Sequence, residues 1–255
     1  MGVALFDRVA GGLVLSEAGA EIRHMAESVE QEMDAIERRV IGRDHSLSGT
    51  LKITCTEVMA NRYLAPHLVD FAALNPKIVL STLCTYEHLS LSQREADFAI
   101  RITEKPPDML VGQCIAIVAI AAYGARDRHT CSETFRPDTA EWIGWQDDAY
   151  TEMMISGPFK GARIAHRCDN MQTMQTLAGL GLGITVLPCY VGDTDPRLTR
   201  VHPAHFQVNG LSLWTLTHPQ LRRTARVHAF SDFIVGRIRA DRSLFDGSRF
   251  ATTPP

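Results

Sequence analysis

The 255-residue sequence lacks the features that mark several specialised classes of protein. No apolar run approaches the roughly 20 residues needed to cross a bilayer, so no membrane partner is predicted. The first residues lack the basic segment and the long apolar stretch of an export signal. The composition, with 45% hydrophobic and 22% charged residues and a net charge of −3, is that of an ordinary globular chain. Together these features predict a cytoplasmic protein that is long enough to bury a full core.

Close-spaced cysteine pairs are also absent, although the sequence contains six cysteines. A zinc site or a disulfide framework would place cysteines at short and regular spacings. The sequence therefore predicts reduced thiols, no metal and no cofactor. Cys55 and Cys84 end neighbouring predicted strands, which leaves a redox switch as an alternative, although buried cysteine more often serves as a small apolar side chain.

Lysine is absent from the first 50 residues, which carry five arginines and nine acidic residues. Because DNA phosphates are bound by clustered lysine and arginine, this segment alone is not expected to hold DNA. Proline is absent from residues 16–43, so nothing interrupts a long helix there. Ser16 is a suitable N-cap for this helix, and Glu17 in its first turn complements the helix dipole.

The apolar side chains of this predicted helix form one stripe. Several of them are eleven residues apart, close to three helical turns, so the stripe runs straight along the helix. At about 1.5 Å per residue the helix would be roughly 40 Å long. Two interpretations remain: the stripe packs on the body of its own chain or, as we favour, it pairs with a second copy in a homodimer. The predicted dimerisation residues are Ala18, Ile22, Met25, Val29, Met33, Ile36 and Val40.

From residue 50 the pattern changes to short apolar strands that alternate with helices. Strands are predicted at 50–55, 78–84 and 97–102, with a helix at 56–74 and a shorter one near 89–95. This alternation at short spacing favours a parallel, doubly wound sheet. Further strands are predicted at 115–123, 142–145, 163–168, 184–187 and 211–216, with a last helix at 224–239.

Two motifs invite a chemical interpretation that their context does not favour. The glycine-rich run at 179–183 follows a helix and precedes a strand, the reverse of a dinucleotide-binding fingerprint, so it is interpreted as a tight turn. His202 with His205, and His166 with Cys168, lack further ligands at regular spacing, so no metal site is predicted.

The acidic group Asp147, Asp148 and Glu152 also lacks chemical support. Paired carboxylates can perform general acid–base catalysis, but no partnering nucleophile or base is evident in the sequence. The group is interpreted as a solvated loop. No catalytic residue and no enzyme activity are predicted.

Several short motifs stand in a recognisable order. Residues 5–8 (Leu-Phe-Asp-Arg) and 12–19 (Gly-Leu-Val-Leu-Ser-Glu-Ala-Gly) precede the motifs at 49–53, 64–66, 94–101, 179–188 and 213–219. The first two resemble the wing and the linker-helix start of LysR-type transcriptional regulators, and the others are similar to landmarks of that family's effector domain. Each motif alone is weak. The ordered set, over roughly residues 2–240, is specific.

The resemblance implies an α/β effector domain with two lobes, like a periplasmic binding protein, and with two crossovers between the lobes. A wing remnant and a long linker helix would precede it. The implied segments are a remnant of a winged helix-turn-helix at 1–15, a linker or dimerisation helix at 16–45, a first lobe at 50–117 and 208–240, a second lobe at 118–207, and a flexible tail at 241–255.

In such folds a ligand lies at the carboxyl ends of the strands, between the lobes. Each residue that would face this cleft also has an ordinary interpretation as a helix cap or a packing residue. Helix N-termini favour anions, but Glu57 beside one of them disfavours a carboxylate effector. The predicted effector-binding residues are Thr54, Thr56, Tyr86, Ile102 and Thr103 in the first lobe and Trp145 and Asn170 in the second.

The family opens with a winged helix-turn-helix, and Met1 falls after the expected position of its recognition helix. Arg8 is the predicted DNA contact within the remnant, and promoter DNA is a predicted partner if the full product carries the module. We favour a DNA-binding transcriptional regulator whose small-molecule effector signals through a dimerising helix, as a homodimer or homotetramer. The alternatives are a small-molecule-binding or dimerisation protein without DNA binding, and an enzyme built on the same fold.

Overall fold

The computed structural model describes residues 4–9, 12–41, 46–85 and 96–252. The chain begins with a β-hairpin formed by β1 (Phe6–Val9) and β2 (Gly12–Leu15), which pair antiparallel where the sequence predicts a wing. Helix α1 (Glu17–Ile41) follows directly and has 25 residues, about 37 Å at the usual helical rise. The Ser16 hydroxyl accepts a 3.0 Å hydrogen bond from the Gly19 amide. The predicted long helix and its N-cap are confirmed.

One face of α1 carries apolar side chains that nothing in the described chain covers. Ile22, Met25 and Val29 have 45, 63 and 58% of their surface exposed, respectively, and Ala18 is half-buried. The side chains of the remaining predicted stripe residues, Met33, Ile36 and Val40, lie outside the described part of the structure. Packing of Ile22, Met25 and Val29 on the body of their own chain is therefore not observed.

Three parallel strands form the base of the first lobe. Strand β3 (Gly49–Cys55) lies between β4 (Ile78–Cys84) and β5 (Phe98–Thr103). The side chains of Leu51 and Ile53 on β3 are fully buried, whereas Lys52 between them is exposed, as the two-residue period of a strand requires. These three strands occur where the sequence predicts them, and their boundaries lie within two residues of the predicted ones.

The helical segment between β3 and β4 consists of three pieces instead of the predicted single helix. They are α2 (Glu57–Met59), a π-helical turn (Ala60–Leu64) and α3 (Ala65–Leu74). Pro66 is the second residue of α3 and has no amide hydrogen, so the regular hydrogen-bond ladder is interrupted at this point. The predicted N-cap is confirmed, because the Thr56 hydroxyl accepts a bond from the Met59 amide at 3.3 Å.

Two long antiparallel strands pass through the middle of the body. They are β6 (Val111–Ala125), with 15 residues, and β11 (Phe206–Thr217), with 12. Their pairing register shifts between Gln207 and Ser212. Both strands continue through the predicted lobe limits at 117/118 and 207/208, where the resemblance implies the crossovers between the lobes.

The second lobe adds short strands to the far half of β6. Strands β9 (Thr185–Pro188) and β10 (Leu198–Arg200) pair with it antiparallel, whereas β7 (Glu141–Trp145) and β8 (Arg163–Cys168) form a separate parallel pair. A single bridge between Trp142 and Ile184 joins this pair to the rest.

The main sheet has seven strands in the order β10-β6-β11-β5-β3-β4, with β9 also on β6. The predicted parallel arrangement is confirmed for β3, β4 and β5, and the sheet as a whole is mixed because β11 pairs antiparallel with β5. The two lobes also share this sheet, because β6 and β11 are long enough to span both. The predicted lobe limits at 117/118 and 207/208 fall within these two strands and remain predictions.

Helices of the second lobe begin at capped strand ends. Asp147 caps α4 (Asp148–Met154) and Asn170 caps α5 (Met171–Gly179), each through its side-chain oxygen. After α5 the glycine-rich run makes a tight turn, in which Gly181 has φ +84° and its amide donates to the Ala178 carbonyl at 3.0 Å. The turn interpretation of this run is confirmed. A short helix, α6 (Cys189–Gly192), follows β9 directly.

The C-terminal residues correct the expectation of a flexible tail. After α7 (Ala225–Ala240), the chain forms α8 (Arg242–Phe245) and a 3₁₀ turn (Ser248–Thr252). The Phe245 side chain is fully buried. Fully buried Arg200 donates to the Gly247 carbonyl at 2.9 Å. The segment is ordered because its apolar side chains complete the core; residues 253–255 lie outside the described part.

Candidate functional site

A cavity of about 460 Å³ lies between the two lobes, at the carboxyl ends of β3, β5 and β7. Its wall is mainly apolar, and a few charged or polar side chains reach it from both lobes. This is the composition of a small-molecule site. The lining residues are Thr56, Val58, Arg101 and Ile102 from the first lobe; Val118, Ile120 and Leu211 from the long strands; and Trp145, Asp147, Tyr150, Met154, Asp169, Met171, Pro188 and Tyr190 from the second lobe.

The cavity contains some of the predicted effector-binding residues but not all of them. Thr56, Ile102 and Trp145 line it. Thr54 is 1% exposed and accepts a hydrogen bond from Arg101, and the Thr103 hydroxyl donates to the Lys105 carbonyl. Neither of these threonines lines the cavity. Asn170 lines a separate shallow depression with Glu57, and Tyr86 lies outside the described residues.

Arg101 is the cationic group of the cavity, and its place there was not predicted from the sequence. It lies on β5, where its Nη2 donates to the Thr54 hydroxyl at 2.7 Å and its Nη1 donates to the Thr85 carbonyl at 2.5 Å. Burial lowers the pKa of Arg101, although a guanidinium keeps its charge at neutral pH. These two bonds fix the guanidinium at the cavity wall. An arginine between Ile100 and Ile102 in a predicted strand was the available signal.

Aromatic side chains of the second lobe form the opposite wall. The rings of Trp145 and Tyr150 meet edge to face, with centroids 5.2 Å apart. The Thr151 hydroxyl accepts from the Trp145 amide at 2.8 Å and thereby ties helix α4 to strand β7. Asp147, interpreted from sequence as part of a solvated loop, instead caps α4 and lines the cavity. Asp148 pairs with Arg167.

Among the described residues, four hydrogen bonds join the helical segment after β3 to the second lobe beside the cavity. Asn170 donates to the Glu57 carboxylate at 3.0 Å, and Asn61 donates to Gln172 at 2.8 Å. Arg62 donates to Gln175 at 3.1 Å and to the Asp195 carboxylate at 2.9 Å. The Glu57 carboxylate is thus held by an amide outside the cavity lining.

Asp195 is the buried centre of this contact, with its side chain 1% exposed. Burial alone would raise the pKa of Asp195, but hydrogen bonds from Arg197 and the charges of Arg62 and Arg197 outweigh burial and lower the pKa to about 2. Gln175, which is fully buried, also donates to this carboxylate, at 2.8 Å. Asp195 is therefore ionised at any physiological pH.

The histidine motifs of the sequence analysis have local partners. The His202 ring accepts from the Ala204 amide at 3.0 Å, and His205 lies 3.3 Å from the buried Arg200 guanidinium. Among residues 4–9, 12–41, 46–85 and 96–252, no three histidine, cysteine or acidic side chains converge in a metal-binding arrangement.

The mixed sheet, the two long shared strands and the cavity between the lobes define the class as an effector domain of the periplasmic-binding-protein type. Residues 44–239 match the family model described as the LysR substrate binding domain. The chain belongs to this family, the LysR-type transcriptional regulators. The family and fold class predicted from the sequence are confirmed. Within the described residues, every helix is too short or too polar to cross a membrane.

Curated relatives match part of the chain. The HTH-type transcriptional regulator CrgA of Neisseria meningitidis serogroup C (strain 8013) is 31% identical over 104 residues, which are 41% of this chain and 35% of the relative. An HTH-type transcriptional regulator of Xanthomonas campestris pv. campestris (strain 8004) is 29% identical over 113 residues, 44% and 33% of the two chains. The matched region thus spans about a third of the length of these relatives.

Solved structures share the fold over more of the chain. The structure of CrgA from Neisseria meningitidis has a TM-score of 0.64 at 20% identity and covers 93% of this chain and 84% of that one. The effector domain of AmpR from Pseudomonas aeruginosa has a TM-score of 0.64 at 14% identity, covering 76% and 98%. At these identities the likeness is one of fold.

Proposed function

We propose that the chain senses a small molecule held between its lobes and controls the DNA-binding activity of a cytoplasmic transcriptional regulator. The observation that carries this proposal is the mainly apolar cavity at the carboxyl ends of strands from both lobes. Such a position lets one ligand contact both halves. A ligand can shift the lobes only if it binds one arrangement better than the other.

The cavity chemistry points to an amphipathic ligand. Apolar walls from both lobes suit an aliphatic or aromatic body, and Trp145 and Tyr150 offer ring faces and edges. Arg101 suits an acceptor group, since two of its five N–H donors are used within the protein. Asp147 and Asp169, on the other lobe, suit a donor such as a hydroxyl or amine.

The four hydrogen bonds between the lobes can transmit a ligand-induced change in lobe spacing to the rest of the molecule. A ligand that changes the spacing of the lobes alters the contacts of Asn61 and Arg62 with the second lobe. We propose that this change reaches α1 through β3 and repositions the paired N-terminal ends on promoter DNA. Arg8, which is exposed on the hairpin, is the proposed DNA contact within this segment.

A cavity-filling substitution tests the ligand site. Ile102→Trp adds a large ring at the half-buried wall of the first lobe, so a compound that binds the cavity should lose at least about tenfold in affinity, the equivalent of 1.4 kcal/mol. Binders are first found by thermal shift of the full chain against small aromatic and aliphatic acids, amines and alcohols. Affinities are then measured by isothermal titration calorimetry.

Ile117→Trp is the matched control, because Ile117 lies on β6 outside the cavity and is 40% exposed. It should bind with wild-type affinity. A compound that binds wild type and Ile102→Trp equally well would place the ligand elsewhere and contradict the proposed site.

A second substitution tests the dimer. Ile22→Asp with Val29→Asp puts two charges in the exposed stripe of α1, and a helix pair that buries this stripe should dissociate because the carboxylates have no partner there. We expect a dimeric mass for wild type by multi-angle light scattering and a large monomer fraction for the double variant. A homotetramer would fall to a dimer if a second interface persists.

Ala20→Asp with His24→Asp is the control, because both residues are exposed on the opposite face of the same helix. It adds the same number of carboxylates and should leave the mass unchanged. Equal masses for both double variants and wild type would refute pairing through the stripe.

Promoter binding by the full product distinguishes a transcriptional regulator from a small-molecule-binding protein without DNA binding. It is measured by gel shift over a range of salt concentrations.

A further inference from the structure

Strands β3 and β4 end with two cysteines side by side. Cys55 and Cys84 are direct partners in the parallel register, so their side chains leave the sheet on the same face. Adjacent strands are about 4.8 Å apart, within the Cα separation that a disulfide spans, roughly 4.4–6.8 Å. Both cysteines are reduced thiols in the structure.

The two thiols have different environments. Cys55 is buried and Cys84 is half-buried, so solvent reaches Cys84 more easily. Burial raises the pKa of Cys55 to about 12, and two effects of Cys84 add to it: its charge and a hydrogen bond between the two thiols. Cys55 thus keeps its proton at neutral pH and serves as a hydrogen-bond donor to its neighbour.

Arg101 connects this pair to the cavity. Its charge acts on both thiols and opposes the burial that disfavours a thiolate at Cys55. Its two hydrogen bonds go to Thr54, which precedes Cys55, and to Thr85, which follows Cys84. A nearby guanidinium favours the reactive thiolate form of cysteine.

We propose that Cys55 and Cys84 are a reversible thiol–disulfide site that responds to hydroperoxides. The Cys84 thiolate attacks the peroxide oxygen, which yields a sulfenic acid at Cys84 and releases an alcohol, or water from hydrogen peroxide. The Cys55 sulfur then attacks the sulfenic sulfur, an S–S bond forms, and the sulfenic hydroxyl leaves with the Cys55 proton as water. Two thiols and one hydroperoxide give one disulfide, one alcohol and one water.

The disulfide would draw the ends of β3 and β4 together at the residues that hold Arg101. The guanidinium would then change its position at the cavity wall. The chemistry of the pair does not depend on ligand binding, so the disulfide test stands apart from the test of the proposed function.

Peptide mapping of the full chain tests the site. The folded protein is treated with hydrogen peroxide or tert-butyl hydroperoxide, alkylated without reduction and digested with trypsin, which releases Cys55 in residues 53–62 and Cys84 in residues 78–94. We expect an intact mass lower by two hydrogen atoms, a cross-linked pair of these peptides, and loss of the link on treatment with dithiothreitol.

Single variants assign the two roles. Cys55→Ser should stop oxidation at a sulfenic acid on Cys84 that dimedone traps, and Cys84→Ser should remove the link. Cys114→Ser, at an exposed position, is the control and should still form it. Thermal melts check that each variant is folded. Peroxide-treated wild type that is oxidised only at other cysteines, or that carries over-oxidised Cys84 without the cross-link, would overturn the proposal.

Discussion

Replacing Phe245 with alanine is expected to lower the free energy of unfolding by about 3–5 kcal/mol, the range for truncating a buried aromatic side chain. Phe245 is fully buried, and its ring contacts those of Tyr63 and Tyr190 at centroid distances of 4.8 and 5.2 Å. Because Tyr190 lines the cavity, the same variant should weaken ligand binding. Urea unfolding followed by circular dichroism measures the loss of stability.

Ser243→Ala is the control for this prediction, since Ser243 lies on the same short helix and is exposed. Its effect should remain within about 0.5 kcal/mol of wild type, as for most surface substitutions. An equally small effect of Phe245→Ala would mean that residues 241–252 do not complete the core, and that the tail is loose in solution.

Replacing Asp195 with asparagine is expected to lower the free energy of unfolding by about 3 kcal/mol. This is the lower end of the range for breaking a buried ion pair, because Arg62 and Arg197 keep part of their exposure to solvent. The carboxylate binds both arginines and Gln175. Its neutral replacement leaves these donors incompletely satisfied.

The same carboxylate gives a signature in the pH dependence of stability. Its pKa is about 2 in the folded protein and 3.8 in its ordinary state, so the folded state binds the proton less readily than the unfolded chain. The stabilisation is therefore present above pH 4 and is lost as the pH falls from about 4 to about 2. As the pH falls through this interval, the free energy of unfolding of wild type should approach that of Asp195→Asn.

Asp127→Asn, at an exposed position, controls for the general effect of removing one carboxylate. Its difference from wild type should be small and nearly independent of pH. If the free energies of unfolding of wild type and Asp195→Asn differed by the same amount from pH 6 to pH 3, the stabilisation by Asp195 would not come from its ionised form.

Much of the fold could be predicted because its signals are local. The cap at Ser16, the proline-free stretch after it and the apolar stripe specify α1 without reference to the rest of the chain. Strands β3 to β5 were predictable from short apolar runs between turn residues. The π turn at residues 60–64 was not, because Pro66 signals an interruption of the hydrogen-bond ladder without showing that the residues before it form a π turn.

The candidate site was predictable only in outline. The rule that ligands lie at carboxyl ends of strands selected Thr56, Ile102 and Trp145. It missed Arg101, because a charged residue on a strand can face either the cavity or solvent, and periodicity alone does not decide between them. Tyr190 was missed because the sequence does not reveal which part of the second lobe faces the cavity.

The tail was mispredicted for a related reason. Polar and proline residues near the end of the sequence suggested a loose segment, whereas Leu244 and Phe245 supply apolar surface that the core lacks without them. Two apolar residues in a short polar segment give no periodicity to detect. Their burial becomes visible only when Tyr63 and Tyr190 are found beside them.

Hydrogen–deuterium exchange with and without the strongest binder from the thermal-shift panel tests the central claim most directly. A ligand held between the lobes should slow exchange in both of them, in residues 101–103 of the first lobe and residues 145–151 and 169–171 of the second. Slower exchange confined to one lobe, or to surfaces away from these segments, would contradict a ligand site shared by the two lobes.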